Sequence, residues 1–150
     1  MNSGREGYSF DYEIGFDSDG KVLALTYDIY CDAGISYSDA FGGLNMAMMW
    51  ADNSFYLPNY QARAKLCYTN TPPRTYARAP GVVQSCLVTG IIVDRVAHEL
   101  GMDAATIKQK NFLQNGQTTI LGQASHPIEY MLSAYDLHEY TNVCDNTANC

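Results

Sequence analysis

No uninterrupted apolar run in this chain comes near the length needed to span a bilayer. Basic residues are scarce. Nine Lys and Arg face 16 Asp and Glu, for a net charge of −7. That balance argues against binding nucleic acid or an anionic membrane through bulk electrostatics. Close cysteine pairs are missing as well. Cys31, Cys67, Cys86, Cys144 and Cys150 are odd in number and irregular in spacing, so a zinc or iron–sulfur site cannot be read from them. The first three sit inside apolar elements and suit small core residues in a reducing compartment. His98, His126 and His138 show no metal-like spacing, and solvated histidines are expected. The chain holds no Gly-x-Ser-x-Gly, P-loop or dinucleotide fingerprint, and no carboxylate pair stands out. The stretch Met-Asn-Ser-Gly-Arg-Glu-Gly carries no apolar core of a signal peptide, so a cytoplasmic protein is expected. No repeat and no linker interrupt residues 1–150, which are expected to form a single unit.

What is present is an apolar fraction of 47%, enough for a globular core. Tyr8, Phe10, Tyr12, Ile14 and Phe16 alternate with Asp11 and Glu13, the period of a half-buried strand. Ser18-Asp19-Gly20 is a hairpin turn, and Val22 to Tyr30 its partner strand. Asp32 to Ser38 reads as a polar loop, with Ser38 or Asp39 capping a helix over Phe41 to Asn53. Met46, Met48 and Met49 in that helix suit adaptable core packing or the wall of an apolar pocket. After Pro58, Tyr60 to Tyr68 alternates as a strand. Val82 to Leu100 is a helix whose side bearing Val83, Leu87, Ile91, Val96 and Leu100 is expected to be deeply buried. Gly101 ends it, and Asp103 caps a second helix to about Phe112. Pro127 to Tyr135 is expected as a short helix, and residues 141–150 as a loose tail. The fold class is α+β, antiparallel strands packed with several helices.

Between the last strand and the long helix lies Thr69 to Gln84. Three prolines and a glycine stiffen it, and Arg74 and Arg78 are its only charges. A rigid loop entering a helix N-terminus can hold an anion or a polar cofactor, because the first helical turn leaves its N–H groups free. The simpler reading is a proline-rich connection with two solvated arginines.

The order Thr69, Asn70, Pro72, Arg78, Gly81 and Gln84 resembles the molybdopterin-contacting loop of the xanthine dehydrogenase/aldehyde oxidase family. Gly4-Arg5, the hairpin around Gly15-Phe16, Asp52-Asn53 with Pro58-Asn59, and Gly101-Met102 with Lys110-Asn111 extend the likeness to about Tyr140. The resemblance implies part of a molybdopterin-binding domain. Enzymes of that family hydroxylate aldehydes or aromatic heterocycles with oxygen derived from water. Their electrons leave through two iron–sulfur clusters to a flavin, and a glutamate in a Gly-Glu segment acts as general base. Gly-Glu occurs nowhere here, and the cluster cysteines and flavin domain are absent. The resemblance therefore implies one internal piece, with no catalytic residue of its own. The 2Fe–2S clusters and FAD would lie elsewhere in a full-length enzyme, which is expected to be a homodimer acting on a small molecule.

By the same likeness, Arg78 would contact the molybdenum cofactor near the metal, without ligating it. The backbone of Ala77, Ala79 and Gly81 would lie beside it. The family's Phe-Arg-Gly-Phe-Gly-Gly-Pro-Gln reads Ala77 to Gln84 here, with Pro80 where purine-oxidising members carry a stacking phenylalanine. Met46 falls where those members carry a substrate-orienting arginine. Both replacements point from xanthine towards aldehydes or less polar heterocycles. Xanthine dehydrogenase with a diverged pocket, or a non-catalytic truncated paralogue, are the alternatives.

Overall fold

The computed structural model describes residues 4–124, apart from 38, 75 and 76. Strands β1 (Tyr8–Phe16) and β2 (Val22–Gly34) form the expected hairpin. Its turn is tied by Asp17, whose Oδ1 accepts from the N–H groups of Asp19 at 3.0 Å and Lys21 at 2.8 Å. Gly20 supplies the positive φ, 82°, that the turn requires. Helix α1 (Ala40–Met49) then leads to β3 (Tyr60–Tyr68), which pairs with β2 in parallel. The α+β class stands, but the sheet is mixed, in the order β1-β2-β3. The reason is the connection. A helix of ten residues with its flanking turns carries the chain back to the end of β2 where it began, as a parallel pair demands.

Strand β2 is the centre of the core. Val22, Leu25, Tyr27, Ile29, Cys31 and Ala33 on it are all buried, joined by Ala40, Leu44 and Ala51 from the α1 region and Ile92 from α2 (Val82–Leu100). A second cluster joins Phe55 to Val93, Val96 and Ala97 of α2 and Ile107 of α3 (Ala104–Asn111). Asp103 caps α3 as its sequence predicts, accepting from the Thr106 N–H at 2.8 Å. Asn111 locks α3 to the hairpin. Its Oδ1 accepts from Val22 N–H at 2.8 Å, and its Nδ2 donates to Gly20 C=O at 2.8 Å.

Two expectations need correction. Strand β2 continues through Asp32, Ala33 and Gly34, which read as a loop in the sequence. The other concerns α2. Its limits are as expected, but Val83, Leu87 and Ile91 are exposed at 48%, 61% and 55%. The inward positions are Ser85, Thr89, Ile92, Val93, Val96 and Ala97. Two hydroxyls can face the core because both find acceptors. Thr89 Oγ1 donates to Ala51 C=O at 2.5 Å and pairs with Tyr27 Oη at 2.8 Å, while Ser85 Oγ donates to Val82 C=O at 3.2 Å. The helix expected over Pro127 to Tyr135, the tail from 141, His126, His138, Cys144 and Cys150 lie outside the described residues.

Candidate functional site

The segment between β3 and α2 is built in two halves, and the first is a clamp. Thr69 Oγ1 donates to Asp32 Oδ1 at 2.5 Å, and Gly34 N–H donates to the same oxygen at 2.9 Å. Thr69 N–H reaches Gly34 C=O at 3.0 Å, and Ile35 N–H reaches Thr71 C=O at 3.0 Å. Gly34, at φ 69°, lies so close to Pro72 that a Cβ would strike the proline carbonyl. Arg74 closes the clamp, its Nε standing 3.6 Å from Asp32 Oδ2. The Thr69 hydroxyl, then the Gly34 N–H, hold the Asp32 carboxyl below the usual carboxylate range, with Arg74 helping. Arg74 is therefore a structural arginine.

The second half carries the residues singled out in the sequence. Ala77 and Pro80 are half-buried, Arg78 and Ala79 exposed, Gly81 buried. The Arg78 guanidinium makes no hydrogen bond or ion pair with another described residue. Ala79 adopts φ 50°, a left-handed conformation unusual for a residue with a Cβ. It stands where the family pattern has glycine. Gly81, at φ 72°, opens α2 with no side-chain cap, and of the first-turn N–H groups that of Val83 turns back to Ala79 C=O at 3.5 Å.

Gly81 is seated on α1. A Cβ there would collide with Gly43 C=O and come within 2.7 Å of the Ala47 N–H nitrogen. Gly43 and Ala47 are themselves buried. Met46 lies in this same turn of α1, 40% exposed. The backbone-to-backbone seam thus brings the element bearing Met46 against the loop bearing Pro80 and Arg78. Sequence order alone could not show that proximity.

One polar group beside the loop was quoted in the motif without a role. Gln84, in the first turn of α2, has both side-chain amide atoms buried with no hydrogen-bond partner among the described residues. A buried amide with neither donor nor acceptor satisfied is uncommon in a finished fold and marks a place for a polar ligand. The other motif residues are structural. Asn59 Nδ2 donates to Leu23 C=O at 2.8 Å, Asn53 Nδ2 to Cys86 C=O at 3.3 Å, and Asp52 accepts from Ile120 N–H at 3.1 Å. Cys31, Cys67 and Cys86 are free thiols, and burial pushes that of Cys31 up to about 11. Among the described residues, no cluster of three or more His, Cys, Asp or Glu could hold a metal ion, and no helix is long and apolar enough to cross a membrane.

Among the described residues, an unpaired guanidinium, a helix N-terminus without a side-chain cap and an unsatisfied amide lie along this loop and the first turn of α2, groups of the kind that could hold a polar, anionic ligand. The family profile of the molybdopterin cofactor-binding domain matches residues 1–112, and the chain belongs to that family. It is 34% identical to xanthine dehydrogenase of Dictyostelium discoideum over 113 residues, 75% of this chain and 8% of that protein. It is 29% identical to aldehyde oxidase 1 of Cavia porcellus over 126 residues, 84% of this chain and 10% of that one. Among solved structures it superposes on aldehyde oxidoreductase from Desulfovibrio gigas with a TM-score of 0.76 at 23% identity, covering 96% of this chain and 16% of that one. Quinoline 2-oxidoreductase from Pseudomonas putida 86 gives 0.67 at 19%, covering 90% and 19%. The chain thus spans about a tenth of the length of these curated relatives.

Proposed function

We propose that this chain supplies the cofactor-holding loop of a molybdenum-cofactor oxidoreductase that hydroxylates aldehydes or aromatic heterocycles with water-derived oxygen. The observation that carries the reading is the cluster of unsatisfied donors on the loop. Among the described residues Arg78 is exposed and makes no hydrogen bond or ion pair, the Gln84 side-chain amide is buried and unpaired, and the N-terminus of α2 has no side-chain cap. The residues fit an anionic pterin. Arg78 and the N–H groups around Ala77, Ala79 and Gly81 would hold it by charge-assisted hydrogen bonds, with Gln84 as a further polar contact. When bound, the molybdenum cofactor supplies the redox chemistry. The chain's own residues hold and orient it.

On the substrate side, Met46 and Pro80 present apolar surface and no cation. An oriented purine would lose a charge-assisted bond of about 1.5–3 kcal/mol, one to two orders of magnitude in rate if it acts in the transition state. An aromatic aldehyde needs only an apolar wall. The remainder of the enzyme, with its 2Fe–2S clusters and FAD, completes the electron path in this reading. The whole protein is a cytoplasmic homodimer in the same reading.

The test is Arg78→Ala in the full-length enzyme. Molybdenum content or turnover of benzaldehyde should fall while cluster absorbance stays unchanged. The unmodified enzyme should show a higher kcat/KM for benzaldehyde than for xanthine. Normal molybdenum content and normal rate in the variant would return Arg78 to a solvated loop residue.

A further inference from the structure

Glu6 lies just ahead of β1 and is only 3% exposed. Neither carboxylate oxygen has a partner on another described residue. Burial disfavours the charged form of a side chain so placed and favours the neutral acid. Burial raises its titration above the ordinary 4.5, its own backbone N–H and Arg5 oppose that rise, and Asp39 adds to it. Its location gives the burial a purpose. Oε1 stands 3.2 Å from where a Cβ on Gly43 would be, with Tyr8 Oη at 2.9 Å from the same point. The carbonyl of Gly43 in turn blocks any Cβ on Gly81. Glu6, Gly43 and Gly81 therefore form a stack running from the leading segment, through the first turns of α1, to the loop that carries Arg78.

We infer that Glu6 is a positioning residue for the loop, acting through Gly43: its buried carboxyl packs against α1 and fixes where Gly81, and with it Arg78, is seated. This rests on reading residues 77–81 as the cofactor loop. Loss of the proton would leave a bare carboxylate between Arg5 of its own segment, Tyr8 of β1, Cys31 of β2 and Asp39 at the start of α1. Its own backbone N–H and Arg5 favour that charge, but among the described residues neither carboxylate oxygen has another hydrogen-bond partner, so charging it favours lifting of the leading segment or α1 to admit water. Because the folded-state value is raised, the stabilisation is complete below 4.5 and is lost as pH rises through the folded value.

The experiment is hydrogen exchange at the amides of Ala77, Arg78, Ala79 and Gly81 in the 150-residue chain, from pH 5 to 8, corrected for intrinsic rates. In the unmodified chain these amides should quicken as pH rises, beyond their intrinsic rates, as Glu6 loses its proton. Glu6→Gln keeps the shape and has no proton to lose, so its loop amides should stay slow and flat. Amides of β2 should be unchanged in both. A Glu6→Gln profile that tracks the unmodified chain, or β2 amides that move with the loop, would overturn the inference. Should Glu6→Gln fail to fold, the unmodified chain decides alone, since a flat corrected profile excludes a titrating group. No cofactor enters the measurement, so its outcome is independent of whether Arg78 binds molybdopterin.

Discussion

Replacing glycine by alanine inside a helix ordinarily stabilises a protein by about 0.5–1 kcal/mol, because alanine has less backbone freedom to lose. This chain holds two helical glycines for which the structure gives opposite answers. A Cβ on Gly90 of α2 meets nothing within 4 Å. Gly90→Ala should therefore gain the full intrinsic term and raise the melting temperature by about 2–4 °C, the scale for a chain of this size. A Cβ on Gly43 of α1 would stand 2.9 Å from Tyr8 Oη and 3.2 Å from Glu6 Oε1. Neither neighbour is free to swing away. The Tyr8 ring stacks on Phe10 with centroids 6.1 Å apart, and Glu6 is buried. The Gly43 carbonyl is itself packed against Gly81. Overpacking of this kind costs about 1–3 kcal/mol, which outweighs the intrinsic gain. Gly43→Ala should thus lower the melting temperature where Gly90→Ala raises it, both followed by circular dichroism on the 150-residue chain. A Gly43→Ala protein that melts as high as Gly90→Ala would refute the close packing of Tyr8 and Glu6 against α1.

Ala79→Gly should stabilise the chain by up to about 1 kcal/mol, since it relieves a left-handed residue at φ 50° while adding some unfolded-state entropy; a lower melting temperature would count against that strain. Thr89→Val should cost about 2–3 kcal/mol in chemical denaturation, because Tyr27 Oη and Ala51 C=O both lose their buried partner. A near-neutral result would mean that water enters the pair. Asp32→Asn should destabilise the chain at neutral pH by removing the charged acceptor of Thr69 and Gly34. Because the Asp32 value is depressed below 3.8, that stability is present above 3.8 and is lost as pH falls through the lower folded value. The gap between Asp32→Asn and the unmodified chain should narrow there, and a constant gap would show that the carboxylate's charge is not what the clamp uses.

The parts of the fold that were legible in the sequence are those with local punctuation. Strand β3 and helix α2 have the expected limits because Pro58 precedes one and Gly81 and Gly101 bracket the other. The hairpin and the Asp103 cap follow from residues within four positions of each other. What failed depends on distant partners. Asp32-Ala33-Gly34 looks like a turn and becomes strand because Thr69 and Arg74 bring donors to its carbonyls, from more than thirty residues away. The parallel placement of β3 is a property of the α1 crossover, which no local pattern specifies. The orientation of α2 was missed because the helix is apolar over much of its circumference. Which arc turns inward was decided by Tyr27 and Ala51, which offer partners to Thr89, and not by hydrophobicity.

The same logic separates the two arginines that open the question of function. In the sequence Arg74 and Arg78 are equivalent, four residues apart in one proline-rich stretch. The fold makes them different by placing Asp32 beside the first, while the second has no ion pair with a described residue. The Asp32 clamp thus anchors one guanidinium to β2 and leaves the other exposed. Outward on α2, Val83, Leu87 and Ile91 form a bare apolar stripe, followed one turn later by Arg95. The inward arc is already filled by Ser85 and Thr89, so the stripe cannot be buried by rotating the helix. An apolar stripe on a helix that is fully seated is a surface that further chain could cover, and this chain spans about a tenth of its relatives' length.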